Sequence, residues 1–180
     1  MSWFKAAGWM PWSLPPQCPA GSHWVEEETE LEKLRRFLPA MIEKYPVDPD
    51  RIYLTGLSMG GRCTWKVALA MPGRFAAMVV ACGRTTDYNL ETIRYMPLWI
   101  FHGVKDDTTS FDNINRILPR LAESGHRCYK LSVYPEIGHQ VWNAAYTHMG
   151  LYDWLLSQRL SQNQKWAADR QKGSENSPGR

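Results

Sequence analysis

One serine, Ser58, lies between a predicted strand and a predicted helix, and this junction constrains the fold of the 180-residue chain more than any other feature. Residues 51–55 are mostly β-branched or aromatic, which predicts a buried strand. Residues 62–71 repeat apolar positions at helical spacing and are followed by a Pro-Gly stop signal. Gly56 and Gly60 lack Cβ atoms, so we expect both to let the strand and the helix approach closely around the turn.

A Gly-x-Ser-x-Gly pattern between a strand and a helix is typical of the nucleophile position of serine hydrolases. The strained turn holds the hydroxyl of Ser58 clear of the backbone, beside the N-terminus of the following helix. The backbone N–H of Met59 is therefore the predicted donor to an oxyanion formed at Ser58. An ordinary glycine-rich turn is the alternative interpretation of so short a pattern, and the strand and helix on either side favour the catalytic one.

A serine nucleophile needs a base and an acid that orients the base, and candidates for both follow later in the chain. The expected chain order is serine, then aspartate or glutamate, then histidine. Asp106 lies in a polar loop just after a predicted strand at 98–101, and His139 follows a glycine just after a predicted strand at 127–134. Because the carboxyl ends of parallel strands meet at one edge of a sheet, we expect Ser58, Asp106 and His139 to come together there.

Other residues compete for the roles of acid and base. Asp107 is the alternative acid, and we favour Asp106 because it lies nearer the strand end; one of the two is expected to cap a helix that begins near Ser110. A triad needs only one base, which makes four other histidines weaker candidates: His23, His102, His126 and His148. Of these, His102 is expected to hydrogen-bond its own loop backbone, and His126 to lie on a surface turn.

Several longer stretches together resemble one known family. They lie at 16–19, 47–61, 72–83, 101–106 and 134–142. In these stretches the chain resembles the phospholipase/carboxylesterase-type branch of the α/β-hydrolase superfamily, close to polyhydroxybutyrate-depolymerase-like and feruloyl-esterase-like serine esterases. The resemblance implies Ser58 as nucleophile, Asp106 as acid and His139 as base. It also implies hydrolysis of small-molecule carboxylic esters with no cofactor and no metal.

The start of the chain departs from this family. Members begin with several strands and a His-Gly-rich loop that supplies a second oxyanion N–H, whereas residues 1–14 resemble neither. The chain thus resembles an N-terminally truncated hydrolase with an exposed sheet edge, which would offer a surface for pairing with a second copy. Two alternatives to an active esterase follow. The first is a non-catalytic fragment or pseudoenzyme that completes its sheet with a partner. The second is a prolyl-oligopeptidase-like peptidase, which shares the triad but normally carries a further domain.

Predicted strands alternate with predicted helices, which indicates an α/β fold with a mostly parallel sheet. We expect an atypical segment at 1–14, the α/β-hydrolase domain at 15–160 and a polar, disordered tail at 161–180, with helical continuation past Trp166 as the alternative for the first part of the tail. Helices are predicted at 26–44, 62–71, 112–124 and within 142–160, and strands at 51–55, 76–81, 98–101 and 127–134.

Charge, hydrophobicity and cysteine content indicate which binding partners and which cellular compartment to expect for this protein. A net charge of +3 is too small to indicate a nucleic-acid partner, and no apolar stretch approaches the length of a membrane span. The four cysteines show neither zinc-ligand spacing nor a dense disulfide pattern, so we expect Cys63 and Cys82 to be buried thiols. This cysteine usage favours a cytoplasmic location for the protein. Trp142, which closely follows the predicted base, is expected to wall the substrate pocket, with a core position as the alternative.

Overall fold

Two strands that are buried at every position form the middle of the sheet. The computed structural model describes residue 13 and residues 15–21 and 28–175. Strands β2 (Ala77–Ala81) and β3 (Leu98–Gly103) lie between β1 (Tyr53–Leu57) and β4 (Tyr129–Tyr134), in the order β1-β2-β3-β4. All three pairings are parallel. Burial along a whole strand is typical of parallel sheets that carry helices on both faces.

Alternate residues of the central strands supply two apolar clusters, one on each face. Met78 and Val80 belong to the larger cluster, and Val79 and Ala81 belong to the smaller one. Helices α1, α2 and α3 contribute to the larger cluster, and α4 and α5 to the smaller one. The helices are α1 (Glu28–Lys44), α2 (Ser58–Ala70), α3 (Asp112–Glu123), α4 (Trp142–Thr147), α5 (Leu151–Ser157) and α6 (Leu160–Glu175).

The predicted α/β class with a parallel sheet is confirmed. Each predicted strand has a counterpart whose ends differ by at most two residues, and α2 begins four residues earlier than the predicted helix at 62–71. Within the described ranges β1 forms one edge of the sheet. The predicted segment at 1–14, apart from residue 13, and the first two residues of the helix predicted at 26–44 lie outside the described residues. No helix within the described ranges is long and apolar enough to cross a membrane.

The segment expected to be a disordered tail from residue 161 is helical as far as Glu175, because these residues form most of α6, in line with the alternative of helical continuation past Trp166. Polar contacts anchor the first turns of this helix. The backbone N–H and hydroxyl of Ser161 donate to the carboxylate of Asp50, at 2.7 and 3.1 Å. The buried side-chain amide of Asn163 donates to the carbonyl oxygen of Ala76 at 2.9 Å. Composition could not reveal these contacts, since the partners are far apart in sequence.

Candidate active site

Ser58 is the first residue of α2 and follows β1 without a break. Its φ of +50° is a conformation that residues with a Cβ rarely adopt, and such strain tends to cluster at functional sites. Gly56 makes the turn sterically possible, because a Cβ there would lie 2.3 Å from the carbonyl oxygen of Gly60. A Cβ added at Gly60 meets no described atom within 4 Å. The expectation that Gly60 must itself lack a side chain is therefore wrong; only its carbonyl makes the close contact.

The structure brings the three predicted triad residues into one chain of hydrogen bonds. The Oγ of Ser58 lies 2.8 Å from the Nε2 of His139. The Nδ1 of His139 lies 2.9 Å from both carboxylate oxygens of Asp106. An ionised carboxylate can only accept, so the Nδ1 carries the imidazole proton, and the Nε2 is left to accept from the Ser58 hydroxyl. This is the tautomer in which the histidine can act as a base toward the serine.

Asp106, and not Asp107, faces the histidine. The Asp106 side chain is buried, and its Oδ1 accepts from the backbone N–H groups of Thr108 at 3.0 Å and Thr109 at 2.7 Å. These two bonds hold the carboxylate in the orientation that faces His139. Asp107 is exposed, and its carboxylate accepts only a 3.3 Å contact from the Thr108 hydroxyl among the described residues.

The loop between β3 and α3 is held by His102 and Ser110. His102 is fully buried, and its Nε2 donates to the carbonyl oxygen of Thr109 at 2.8 Å, which confirms the expected bond to the loop backbone. Burial lowers the pKa of His102, which favours the neutral ring. The Nε2 of this ring lies 3.6 Å from the Oδ2 of Asp106. Neither aspartate caps α3 as predicted; the hydroxyl of Ser110 accepts from the N–H of Asp112 instead, at 3.2 Å.

The loops that carry the acid and the base touch each other directly. At Gly103, where β3 ends, a Cβ would lie 2.2 Å from the carbonyl oxygen of Ile137. That carbonyl oxygen accepts from the N–H of Lys105 at 3.1 Å, and the Lys105 ammonium forms an ion pair with Glu136. The absence of a side chain at Gly103 thus lets the base loop close over the end of β3, which sets the spacing between Asp106 and His139.

Met59 and Trp142 flank the pair formed by Ser58 and His139. Met59 lies in the first turn of α2, where backbone N–H groups have no intrahelical acceptor. Trp142 begins α4, is partly exposed, and packs edge-on against the ring of His139, with centroids 5.4 Å apart and planes at 88°. Trp142 therefore braces the base as well as bordering the site.

Cys82 lies beside the triad, a position that its sequence context does not predict. The residue follows β2, is fully buried as predicted, and has a φ of +43°. Its Sγ lies within 4.8 Å of ligand atoms of Asp106 and His139, and these three residues together could hold a metal ion. Burial raises the pKa of the Cys82 thiol to about 11, with partial compensation by a hydrogen bond with the Ser58 backbone. The signal available in sequence was the position of Cys82 after a strand that neighbours β1.

Comparison with known proteins identifies the family. The dienelactone hydrolase family matches residues 20–168, and the chain belongs to this family. A probable carboxylesterase SOBER1-like from Arabidopsis thaliana is 27% identical over 159 residues, covering 83% of this chain and 60% of the relative. The solved structure of a thermostable esterase has a TM-score of 0.75 at 29% identity and covers 80% of this chain and 43% of that one. The chain thus spans about half the length of these two proteins.

These similarities confirm the predicted α/β-hydrolase and carboxylesterase-type resemblance. Arabidopsis thaliana SOBER1, with a TM-score of 0.59 at 21% identity, supports the fold alone. The same holds for Pyrococcus horikoshii acylaminoacyl peptidase, with a TM-score of 0.52 at 14% identity. The shared fold therefore does not distinguish ester hydrolysis from peptide hydrolysis, and that distinction depends on the site.

Proposed function

We propose that this chain hydrolyses carboxylic esters through a covalent acyl intermediate on Ser58. The observation that carries the proposal is the hydrogen-bond chain from the Ser58 hydroxyl through both ring nitrogens of His139 to Asp106. The relatives described as carboxylesterases support the ester class of substrate.

In the first half-reaction, the Oγ of Ser58 attacks the ester carbonyl carbon while the Nε2 of His139 takes the hydroxyl proton. Asp106 accepts from the Nδ1 and stabilises the imidazolium that forms. Collapse of the tetrahedral intermediate breaks the bond to the alcohol oxygen, which receives the proton from the Nε2. In the second half-reaction, water attacks the acyl group on Ser58 by the same route and releases the carboxylic acid.

The Met59 N–H is the proposed oxyanion donor, because it lies at the positive end of α2 beside the nucleophile. Removal of one oxyanion donor typically lowers kcat by about 10²–10³, so this N–H is expected to contribute strongly to turnover. Chemically activated esters are suitable first substrates.

Trp142 is the proposed substrate-contacting residue. Its partly exposed indole lies against the base, so an acyl or alcohol group bound at Ser58 would meet an apolar surface there. This favours small esters with an apolar group over highly charged substrates.

The proposal is tested with a series of p-nitrophenyl esters of increasing acyl length and the matching p-nitroanilides. The parent protein is compared with Ser58→Ala and with a control, Ser157→Ala. Ser157 is exposed, and its hydroxyl donates to the Trp154 carbonyl and accepts from the side-chain amide of Gln158, both near it in sequence. We expect ester hydrolysis by the parent and by Ser157→Ala, and none by Ser58→Ala. Cleavage of anilides in preference to esters would overturn the ester assignment in favour of a peptidase.

A further inference from the structure

Cys82 adds a third metal-binding group to the acid and the base of the proposed triad. One ligand atom from each of Cys82, Asp106 and His139 lies within 4.8 Å of the other two. Cys82 and Asp106 are buried, whereas the His139 side chain is 18% exposed. Solvent therefore reaches the cluster from the side of His139, and a small ion can approach by the same route.

The chemistry of these donors selects the class of ion. A thiolate, an imidazole and a carboxylate are ligands that Zn²⁺ uses, whereas Mg²⁺ and Ca²⁺ prefer oxygen alone. With bonds of about 2.0–2.3 Å, neighbouring donors around a tetrahedral Zn²⁺ lie about 3.3–3.8 Å apart. Donors that already lie within 4.8 Å of one another need to shift by only about 1 Å to reach this spacing.

We propose that Cys82, Asp106 and His139 bind a thiophilic divalent cation such as Zn²⁺, and that the bound ion blocks the hydrolase site reversibly. The fourth position falls to water. The block rests on the proposed function, because it acts by occupying the base. The binding of the ion does not rest on it.

Metal binding and base catalysis use the same imidazole ring of His139. The Nε2 contacts Ser58 and the Nδ1 contacts Asp106. An ion that binds both Asp106 and His139 must use the Nδ1, because this is the nitrogen that faces the carboxylate. The proton of the Nδ1 then moves to the Nε2, which can no longer accept the proton of Ser58. This arrangement stops proton transfer, so the inhibition should be complete and reversible by a chelator.

Coordination also requires that the Cys82 thiol lose its proton to solvent as the sulfur–metal bond forms. Binding therefore releases one proton from this residue.

The test is calorimetric titration of chelator-treated protein with Zn²⁺, and titration with Cd²⁺ followed by the ultraviolet charge-transfer band of the cadmium–thiolate bond. The parent is compared with Cys82→Ser. Cys18 and Cys63 interact with each other, so the double variant Cys18→Ser, Cys63→Ser is the matched control for thiols elsewhere. We expect one ion per chain in the parent and the control. In Cys82→Ser the band should be absent and the affinity lower by more than about 100-fold, beyond the 10–100-fold effect of residues that only orient ligands.

His139→Gln provides a second test, because this side chain is partly exposed and its replacement does not alter the core. Weaker Zn²⁺ binding by His139→Gln supports the site even where Cys82→Ser fails to show a cooperative melt. Binding that persists unchanged in both variants, or that disappears in the Cys18/Cys63 control, overturns it. An ion bound at Cys82 in a protein that has no esterase activity at all supports the metal site and counts against the proposed function alone. Full ester turnover with the ion bound at Cys82 overturns the block.

Discussion

Acidification should destabilise this protein through His126, a residue remote from the catalytic site. The polar stretch around His126 predicts a surface turn, but the side chain of His126 is buried, with 1% of its surface exposed. Its backbone N–H donates to the carbonyl oxygen of Leu121 at 2.9 Å, which draws the residue inward at the end of α3. Neither ring nitrogen has a hydrogen-bond partner of normal geometry among the described residues. Burial lowers the pKa of His126 from 6.5 to about 4, and the nearby backbone of Met96 offsets only part of this effect.

The size and sign of the effect follow from this pKa. The folded protein holds His126 neutral, whereas the unfolded chain takes up a proton as the pH falls below 6.5. Each unit of difference in pKa corresponds to about 1.4 kcal/mol. The free energy of unfolding should therefore fall by about 3 kcal/mol as the pH drops from about 6.5 to about 4, and this contribution should level off below about pH 4.

The assay is urea denaturation at about pH 7 and about pH 4.5, followed by tryptophan fluorescence, on the parent and on His126→Gln. Glutamine is polar and of similar size but does not titrate, so it removes this pH dependence alone. Burial also lowers the pKa of His102, but that contribution is common to both proteins and cancels in the comparison. The parent should lose about 2–3 kcal/mol more than the variant on acidification. Equal losses in the two proteins would refute the reasoning.

Three further predictions concern the turn, the acid and the last helix. Gly56→Ala should abolish the cooperative melt, because the new Cβ would lie 2.3 Å from the Gly60 carbonyl oxygen. The control Gly60→Ala meets no such contact and should melt at or above the temperature of the parent. An unchanged melt of Gly56→Ala would contradict this account of the turn. Asp106→Asn should lower kcat for an activated ester by about 10⁴, because an amide no longer holds the productive tautomer of His139. The control Asp107→Asn should leave kcat within about twofold of the parent value. Equal effects of the two substitutions would contradict the assignment of Asp106 as the acid. Asn163→Ala should lower the free energy of unfolding, measured by urea denaturation, by about 1–3 kcal/mol, because the buried carbonyl of Ala76 loses its donor. An unchanged free energy of unfolding would show that Asn163 does not anchor α6.

The sheet and the triad could be predicted because both depend on short-range patterns. Continuous apolar runs mark β2 and β3, and such runs are typical of strands covered on both faces. Once the strands are parallel, residues just after their carboxyl ends must meet at one edge. Ser58, Asp106 and His139 each satisfy that condition, so their proximity needed no information about side-chain packing.

The features that sequence reasoning missed depend on contacts between distant residues. His126 follows a glycine in a polar stretch, and only the packing around the end of α3 makes it buried. α6 has a polar composition, and its anchoring depends on Asp50 and Ala76 far earlier in the chain. Cys82 looked like any apolar core residue, although its strand places it beside the acid and the base. In each case the outcome is decided by contacts that the tertiary fold sets and that the local sequence pattern does not contain.

The central claim is that His139 and Asp106 activate Ser58, and active-site labelling tests it without knowledge of the natural substrate. The measurement is the intact mass of the protein after treatment with a fluorophosphonate, for the parent and for Ser58→Ala. Our account predicts one adduct on the parent and none on the variant. A parent protein that melts cooperatively but gains no adduct, or an adduct that persists in Ser58→Ala, would contradict it.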